Sequence, residues 1–266
     1  MNKNVESMVS IASYSFHKLL QAKMMDVFGY LESMKYRYGI LNADIWNGFI
    51  WDMEIADFKK IRRAMDERGI ELSNLCCDGA CPWADDPDEK RELDKMASRM
   101  LDAAEILGAK TVRFDVGIHE DVPSEAQMEY VLKKFSEYAK RGEKGGFIIG
   151  PENHWGAARS LAVQKRMYAE INSKNYGILL HLGNWNLAEG ETFDGNDREA
   201  AKIAVHTHVD YEHAMDAENI LPPLIENGYK GVFGIEHHRE INEYQGTQAQ
   251  LSKILYALSK IHYEQN

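Results

Sequence analysis

The four stretches GGFIIGPENH (145–154), YGILLHLGN (176–184), IAVHTHVD (203–210) and GVFGIEHH (231–238) decide the fold. Each is apolar and β-prone until an abrupt polar finish, and each is followed by enough chain to form a helix. Strands joined by helical crossovers run parallel, so their C-terminal ends all face one side of the sheet. The residues that finish the runs, Glu152, His181, His208 and Glu236, are therefore expected to converge despite their distance in sequence. Two carboxylates and two imidazoles brought together in this way make a mononuclear site for a divalent metal.

The same alternation extends over the rest of the chain. Strand patterns lie near residues 8–14, 39–46, 70–77, 109–116, 145–152, 176–182, 202–209 and 231–237, with helical patterns between them. Eight near-evenly spaced repeats in 266 residues predict an α/β fold of the closed (β/α)8 type, which typically takes about 250 residues. No proline-rich or Gly/Ser-rich linker divides the chain, so 1–266 is expected to form a single domain. The clearest helix is predicted over Pro87 to Leu107. Asp86 is placed to accept from the free N–H groups of its first turn, Pro87 suits the first helical position, and Gly108 can take the left-handed conformation that ends it. Leu93, Met96, Met100, Ala103 and Leu107 recur at three- and four-residue steps and form its apolar stripe. A last helix is predicted over about Gln248 to His262. The stretch 184–200 is long for a strand-to-helix connection and is expected to carry a short helix and part of a lid.

Composition narrows the function. Hydrophobic residues at 44% and charged residues at 27% describe an ordinary globular chain. The formal charge of −11 disfavours a nucleic-acid partner. No apolar stretch approaches the ~20 residues needed to cross a bilayer, so no membrane partner is expected. Cys76, Cys77 and Cys81 offer neither a disulfide framework nor zinc-finger spacing. Reduced thiols and the lack of a secretory leader predict a cytoplasmic location.

Burying an unpaired carboxylate is costly, so FIIGPE and VFGIE, which put a glutamate at the lip of an apolar tube, call for a metal or a cation nearby. His206 and His208 lie two apart on one strand and face the same side, so either could be a ligand. His208, nearer the strand's C-terminal end, is the stronger candidate, and His206 is expected to hydrogen-bond beneath it. His154, Asn184, His206, Asp210 and Arg239 are candidates for substrate contact or for orienting the ligands. Trp155 and Trp185 sit beside ligand candidates and could supply apolar walls for a sugar. Arg113 and Asp115 are expected to form an internal ion pair.

PENHWG, LLHLGNW, AVHTHVD and GIEHH resemble the corresponding segments of the xylose isomerase-like TIM barrels, the sugar phosphate isomerase/epimerase superfamily that also includes AP endonuclease family 2. ASYSF near the N-terminus and SNLCCDGACPWADDPDEKRE (73–92) agree with the same family, and the segments follow in the family's order. The resemblance implies a Glu, Asp, His, Glu metal site, carried here by Glu152, His181, His208 and Glu236. His181 stands where the family usually has Asp, and Asp210 where many relatives have Lys. A neutral, softer ligand at 181 favours Zn, Mn, Co or Fe over Mg. The loss of a lysine at 210 favours an unphosphorylated sugar or keto acid.

The resemblance further implies a sugar isomerase or epimerase acting through an enediolate, with Glu152 and Glu236 as acid/base groups, a small sugar or polyol as partner, and a homo-oligomer. Two alternatives stand beside it: a lyase or dehydratase of a keto-inositol-like substrate, and a metal-free, non-catalytic sugar-binding barrel. An endonuclease is disfavoured because His17 is the only histidine in the first 115 residues.

Overall fold

The computed structural model describes residues 5–239 and 242–264, with side chains to residue 262. Eight parallel strands form one sheet: β1 (Val9–Ala12), β2 (Asn42–Trp46), β3 (Glu71–Cys77), β4 (Thr111–Phe114), β5 (Ile148–Gly150), β6 (Ile178–His181), β7 (Ala204–Val209) and β8 (Val232–Ile235). Their order is β5-β4-β3-β2-β1-β8-β7-β6. The two outer strands meet through the bridges Ile149↔Tyr176 and Glu152↔Leu179, which close the barrel. All eight strands fall within the ranges predicted from hydrophobic patterning.

Ten α-helices surround the barrel among the described residues, against the eight expected. They are α1 (His17–Gln21), α2 (Val27–Glu32), α3 (Ile55–Arg68), α4 (Pro87–Leu107), α5 (Glu125–Gly145), α6 (Leu161–Ile171), α7 (Phe193–Ala200), α8 (Tyr211–Met215), α9 (Ala217–Glu226) and α10 (Glu243–Glu264). The excess arises because the connections after β1 and β7 each break into two short helices. α4 has the predicted ends: the Asp86 carboxylate accepts from the N–H groups of Asp88 and Glu89, and Gly108 is left-handed at φ 71°. α10 starts five residues earlier than predicted. Gly246 reads as a helix breaker in sequence, but a side chain there would strike the His237 ring, so close packing requires the glycine. α7 supplies the short helix expected within 184–200 and contacts α6 and α9 in the outer ring, so that half of the stretch is wall rather than cover.

Strands covered on both faces are mostly apolar, and β1 and β4 are buried at every position, the polar Ser10, Thr111 and Arg113 included. The three cysteines are free; Cys76 and Cys77 are buried and Cys81 is partly so. Among the described residues no helix is long and apolar enough to cross a membrane.

The β5–β6 seam depends on missing side chains. Gly177 N–H donates to Ile149 O at 3.3 Å, and Leu179 N–H donates to Pro151 O at 3.0 Å. A Cβ on Gly150 would lie 1.7 Å from the Gly177 carbonyl oxygen. Gly150→Ala is therefore expected to destabilise the protein by roughly 3 kcal/mol or more, since the clash is with backbone rather than a movable side chain. Gly29→Ala, on α2 with its nearest neighbour at 3.5 Å, should instead be neutral or stabilising by about 0.5–1 kcal/mol. Paired thermal melts check this, and equal midpoints would show that the seam tolerates a side chain.

Candidate metal centre and active site

β5 to β8 bring the four residues that end the apolar runs to one place. Glu152 Oε1 lies 3.2 Å from His181 Nδ1 and 3.1 Å from His208 Nδ1. Glu236 Oε2 lies 3.7 Å and 3.6 Å from the same two nitrogens. Ligand atoms about 2.1 Å from a tetrahedral ion stand about 3.4 Å apart, so these separations fit a coordination shell. Glu152 and His208 are each 1% exposed and Glu236 7%, and carboxylates so placed require a partner of opposite charge. Glu152, His181 and His208 form one group of mutually close donors and Glu236 joins through His181–Glu236–His238; with Asp44–His206–His208 and Asp115–Glu152–His154 these share members, which makes one centre and its surroundings rather than four sites.

Asp44, in the middle of β2, organises the floor. Its Oδ2 accepts from His206 Nε2 at 2.8 Å and from His208 Nε2 at 3.0 Å. Its Oδ1 accepts from the Asn74 amide at 2.9 Å, and Asn74 in turn accepts from Thr111. The bond to Asp44 places the His208 proton on Nε2 and leaves Nδ1 to face the cluster. Gly234 makes the contact between β2 and β7 possible: a Cβ there would meet His206 Nε2 at 2.8 Å.

Asn153 and Asn184 fix the seam at the site. The Asn153 side chain accepts from His181 N–H at 2.7 Å and donates to His181 O at 2.8 Å, extending the backbone ladder where the strands have ended. Asn184 donates to Asn153 O at 2.7 Å. Each glutamate has one oxygen held from the side. Arg113 Nε approaches Glu152 Oε2 at 3.2 Å, and His238 Nε2 lies 2.9 Å from Glu236 Oε2.

These neighbours set the ionisation of the cluster. Burial pushes the Glu152 carboxyl up, but His208, His181 and Arg113 outweigh it and hold the group well below the usual range. For Glu236, burial is likewise overcome by His208, His238 and His181, which bring it to about 2. Burial alone would lower His208, yet Glu236, Glu152 and Asp44 raise it well above its ordinary value. His181 is also raised: burial is opposed by its bond to Glu152 and by Glu236. Asp115, raised by burial against the pull of Arg113, sits at about 7.

The cluster forms part of the wall of a cavity of about 750 Å³, whose lining includes Glu152, Glu236, Tyr14, Trp46, Trp83 and Trp155. The structure brings Glu152, His181, His208 and Glu236 together. Of the other sequence candidates, His154 and Trp155 line both this cavity and a smaller recess beside it, while Asn184, Asp210 and Arg239 line the recess alone. Asp210 caps α8 and pairs with His213 Nδ1 at 2.8 Å, and Arg239 pairs with Glu212. Trp185 and His206 are placed elsewhere. The Trp185 indole is 2% exposed and donates to Asp197 Oδ1 at 2.6 Å, and His206 lies buried beneath His208. Arg113 pairs with Asp115 at 2.8 Å as expected, but also with Asp78 and Glu152. Sequence reasoning missed Asp44, Asn153, Asp78 and His238. A carboxylate inside the strand pattern NADIW was the available signal for Asp44, since it cannot be buried there alone.

Fold and site define a parallel (β/α)8 barrel with a carboxylate–imidazole centre at the C-terminal mouth. The chain belongs to the xylose isomerase-like TIM barrel family, whose model matches residues 37–257. Among solved structures it is similar to a 3-keto-D-glucoside 4-epimerase from E. coli in its apo form, at 15% identity and a TM-score of 0.72, covering 86% of this chain and 94% of that one. It is also similar to a D-psicose 3-epimerase crystallised in the presence of D-fructose, at 14% identity and a TM-score of 0.70, covering 96% and 98%. A probable 3-DHS dehydratase from Bacillus anthracis follows at 12% identity and a TM-score of 0.69, covering 92% and 97%. At these identities the likeness shows the fold alone. No curated protein matches the chain in sequence.

Asn153→Ala is expected to lower the affinity for Mn²⁺ or Zn²⁺ about 10–100-fold by calorimetry, because the residue orients His181 without joining the cluster. Since His181 and His208 are both raised, protons compete with a cation for Nδ1, and affinity should climb as pH rises above the ordinary histidine value. An affinity independent of pH would show that the imidazoles are not ligands.

Proposed function

We propose that the protein is a divalent-metal-dependent isomerase or epimerase of a small sugar or related polyhydroxy carbonyl compound, with Glu152 and Glu236 as its acid/base pair. The observation that carries this reading is the pair of buried carboxylates, each held by a neighbour on one oxygen, that meet across two imidazoles beside a roomy cavity. The family and the sugar epimerases among its structural neighbours support it.

Glu152, His181, His208 and Glu236 would hold the metal. A cation so held would polarise a substrate carbonyl and stabilise the negative charge that develops as the adjacent carbon loses its proton. Two neutral imidazoles among the four donors favour Mn, Zn, Co or Fe over Mg. Both carboxylates stay ionised at neutral pH, so either can serve as base. Arg113 balances the charge of Glu152 from behind. His238, 42% exposed and bonded to Glu236, gives that carboxylate a route for protons to solvent. Tyr14, Trp46 and Trp155 supply the apolar faces against which a sugar ring packs.

A lyase is the second reading, because the same deprotonation can expel a β-hydroxyl, and a dehydratase lies among the similar barrels. Product analysis separates the two: exchange of a substrate C–H with solvent deuterium marks the isomerase or epimerase, and loss of water marks the lyase. Glu152→Gln and Glu236→Gln should each reduce exchange by about 10³-fold with unchanged circular dichroism. Retained exchange in either variant would refute the two-base scheme.

A further inference from the structure

The cavity is larger than one sugar needs and is built unevenly about the barrel axis. The clustered donor residues come from β5 to β8, yet most of the cavity extends the other way, over the loops that follow β3 and β4. Its far end is formed by Trp83, Ala84, Asp85, Glu89 and Leu93, at the start of α4, and by the 117–120 loop after β4. At about 750 Å³ it lies in the upper half of the roughly 300–1,000 Å³ range of ligand sites, well beyond what a single hexose fills.

This far wall is fixed in place. A Cβ on Gly117, at φ 82°, would lie 2.1 Å from Trp83 O, so the loops after β3 and β4 are pressed together. A Cβ on Gly156 would lie 2.2 Å from Ile118 O, and Ala157 N–H donates to that same oxygen at 3.2 Å, which ties in the loop after β5. The Trp83 indole donates to Asp85 at 3.2 Å and meets Tyr130 edge-on. A wall stitched at three loops is a preformed surface and keeps the volume open without a ligand.

The charge of the wall selects what enters. Eight carboxylates line the cavity against one guanidinium, that of Arg113, which is already paired with Asp78, Asp115 and Glu152. Lys90 sits over the Trp83 and Tyr130 rings and does not line the cavity. His119, His154 and His238 are the remaining basic groups on the lining. At the far end, away from the centre, a phosphate or carboxylate on the substrate would meet Asp85, Asp86, Glu89 and Glu120, and among the described residues no Lys or Arg besides the paired Arg113 lines the cavity to receive it.

We propose that the chamber over β3 and β4 is a second subsite, and that the substrate is an uncharged glycoside whose reacting sugar sits at the metal centre while its second ring packs between Trp83 and Leu93. This rests on the sugar reading of the centre and specifies the class of sugar. Exposed apolar edges of a pyranose match Trp83 and Leu93, and its hydroxyls can donate to Asp85 and Glu89.

The test is calorimetry on the Mn²⁺-loaded protein with three unreactive probes: D-glucitol, maltitol (D-glucitol bearing a glucosyl ring) and D-glucitol 6-phosphate. Maltitol should bind at least about tenfold more tightly than D-glucitol, and the phosphate more weakly than either. Leu93→Trp fills the far end from a half-buried helix position and should bring the maltitol-to-glucitol ratio towards one, with the Mn²⁺ affinity reporting that the centre is intact. The double variant Asp85→Asn, Glu89→Gln should raise the affinity for D-glucitol 6-phosphate. Equal binding of maltitol and D-glucitol in the unsubstituted protein, or a ratio that Leu93→Trp leaves unchanged, overturns the subsite while the sugar reading stands. Failure of both neutral polyols to bind overturns the sugar reading and the subsite with it.

Discussion

The site rests on a carboxylate that touches no solvent. Asp44 is 0% exposed, and burial alone would push it towards neutrality, yet His208 and His206 hold it ionised below the usual range. A charge in this position is tolerable only with both oxygens engaged, and Asp44 accepts from two imidazoles and one amide. That demand fixes the rotamers of His206 and His208, and through Asn74 and Thr111 it ties β2 to β3 and β4 inside the barrel. Tyr30 adds to the tether from outside, accepting from Asp44 N–H at 2.9 Å and donating to Ile11 O at 2.6 Å. Removing one member of such a network leaves the others buried without partners, at a cost of several kcal/mol.

The barrel's least regular junction lies beside this network. β5 and β6 share bridges rather than a full ladder, and Glu152 forms one of those bridges. The short strand lets Glu152 leave the sheet early enough to turn its carboxylate towards His181 and His208. Asn153 and Asn184 replace the missing backbone bonds with side-chain amides, so the ends of both strands stay in register where the donors meet. Rigidity is thus supplied locally by polar groups where the backbone pattern gives way.

The mouth of the barrel divides by charge balance. On the β5–β8 side, acids and imidazoles are interleaved within about hydrogen-bond distance, and each carboxylate and its neighbouring imidazoles favour one another's ionised form. On the β1–β4 side, Arg113 gathers the carboxylates of Asp78, Asp115 and Glu152 around one buried cation, with the Cys76 sulfur 2.7 Å from its Nη2. Glu152 belongs to both halves, one oxygen towards the imidazoles and the other towards the guanidinium, which couples the charge of the centre to the wall of the cavity.

Much of this was legible in the chain itself. Period and spacing gave the eight strands because strands buried on both faces are mostly apolar, although Asp44 in β2, Arg113 in β4 and His206 in β7 lie buried within them. The same pattern located Glu152, His181, His208 and Glu236, since the C-terminal ends of barrel strands share one face and the alternation of side chains decides which of them point to the axis. The capped ends of α4 were equally readable, because helix termini are satisfied by residues next to them in sequence. Tertiary structure alone decided the partners. Asp44 and His206 lie 162 residues apart, and only closure of the barrel, with Gly234 leaving room between them, sets one against the other. Trp185 shows the converse: it sits next in sequence to the site, yet turns outward because Asp197 on α7 offers its N–H a buried acceptor. Local pattern determines which way a strand points, whereas the pairing of buried polar groups depends on contacts across the barrel that no stretch of neighbouring residues encodes.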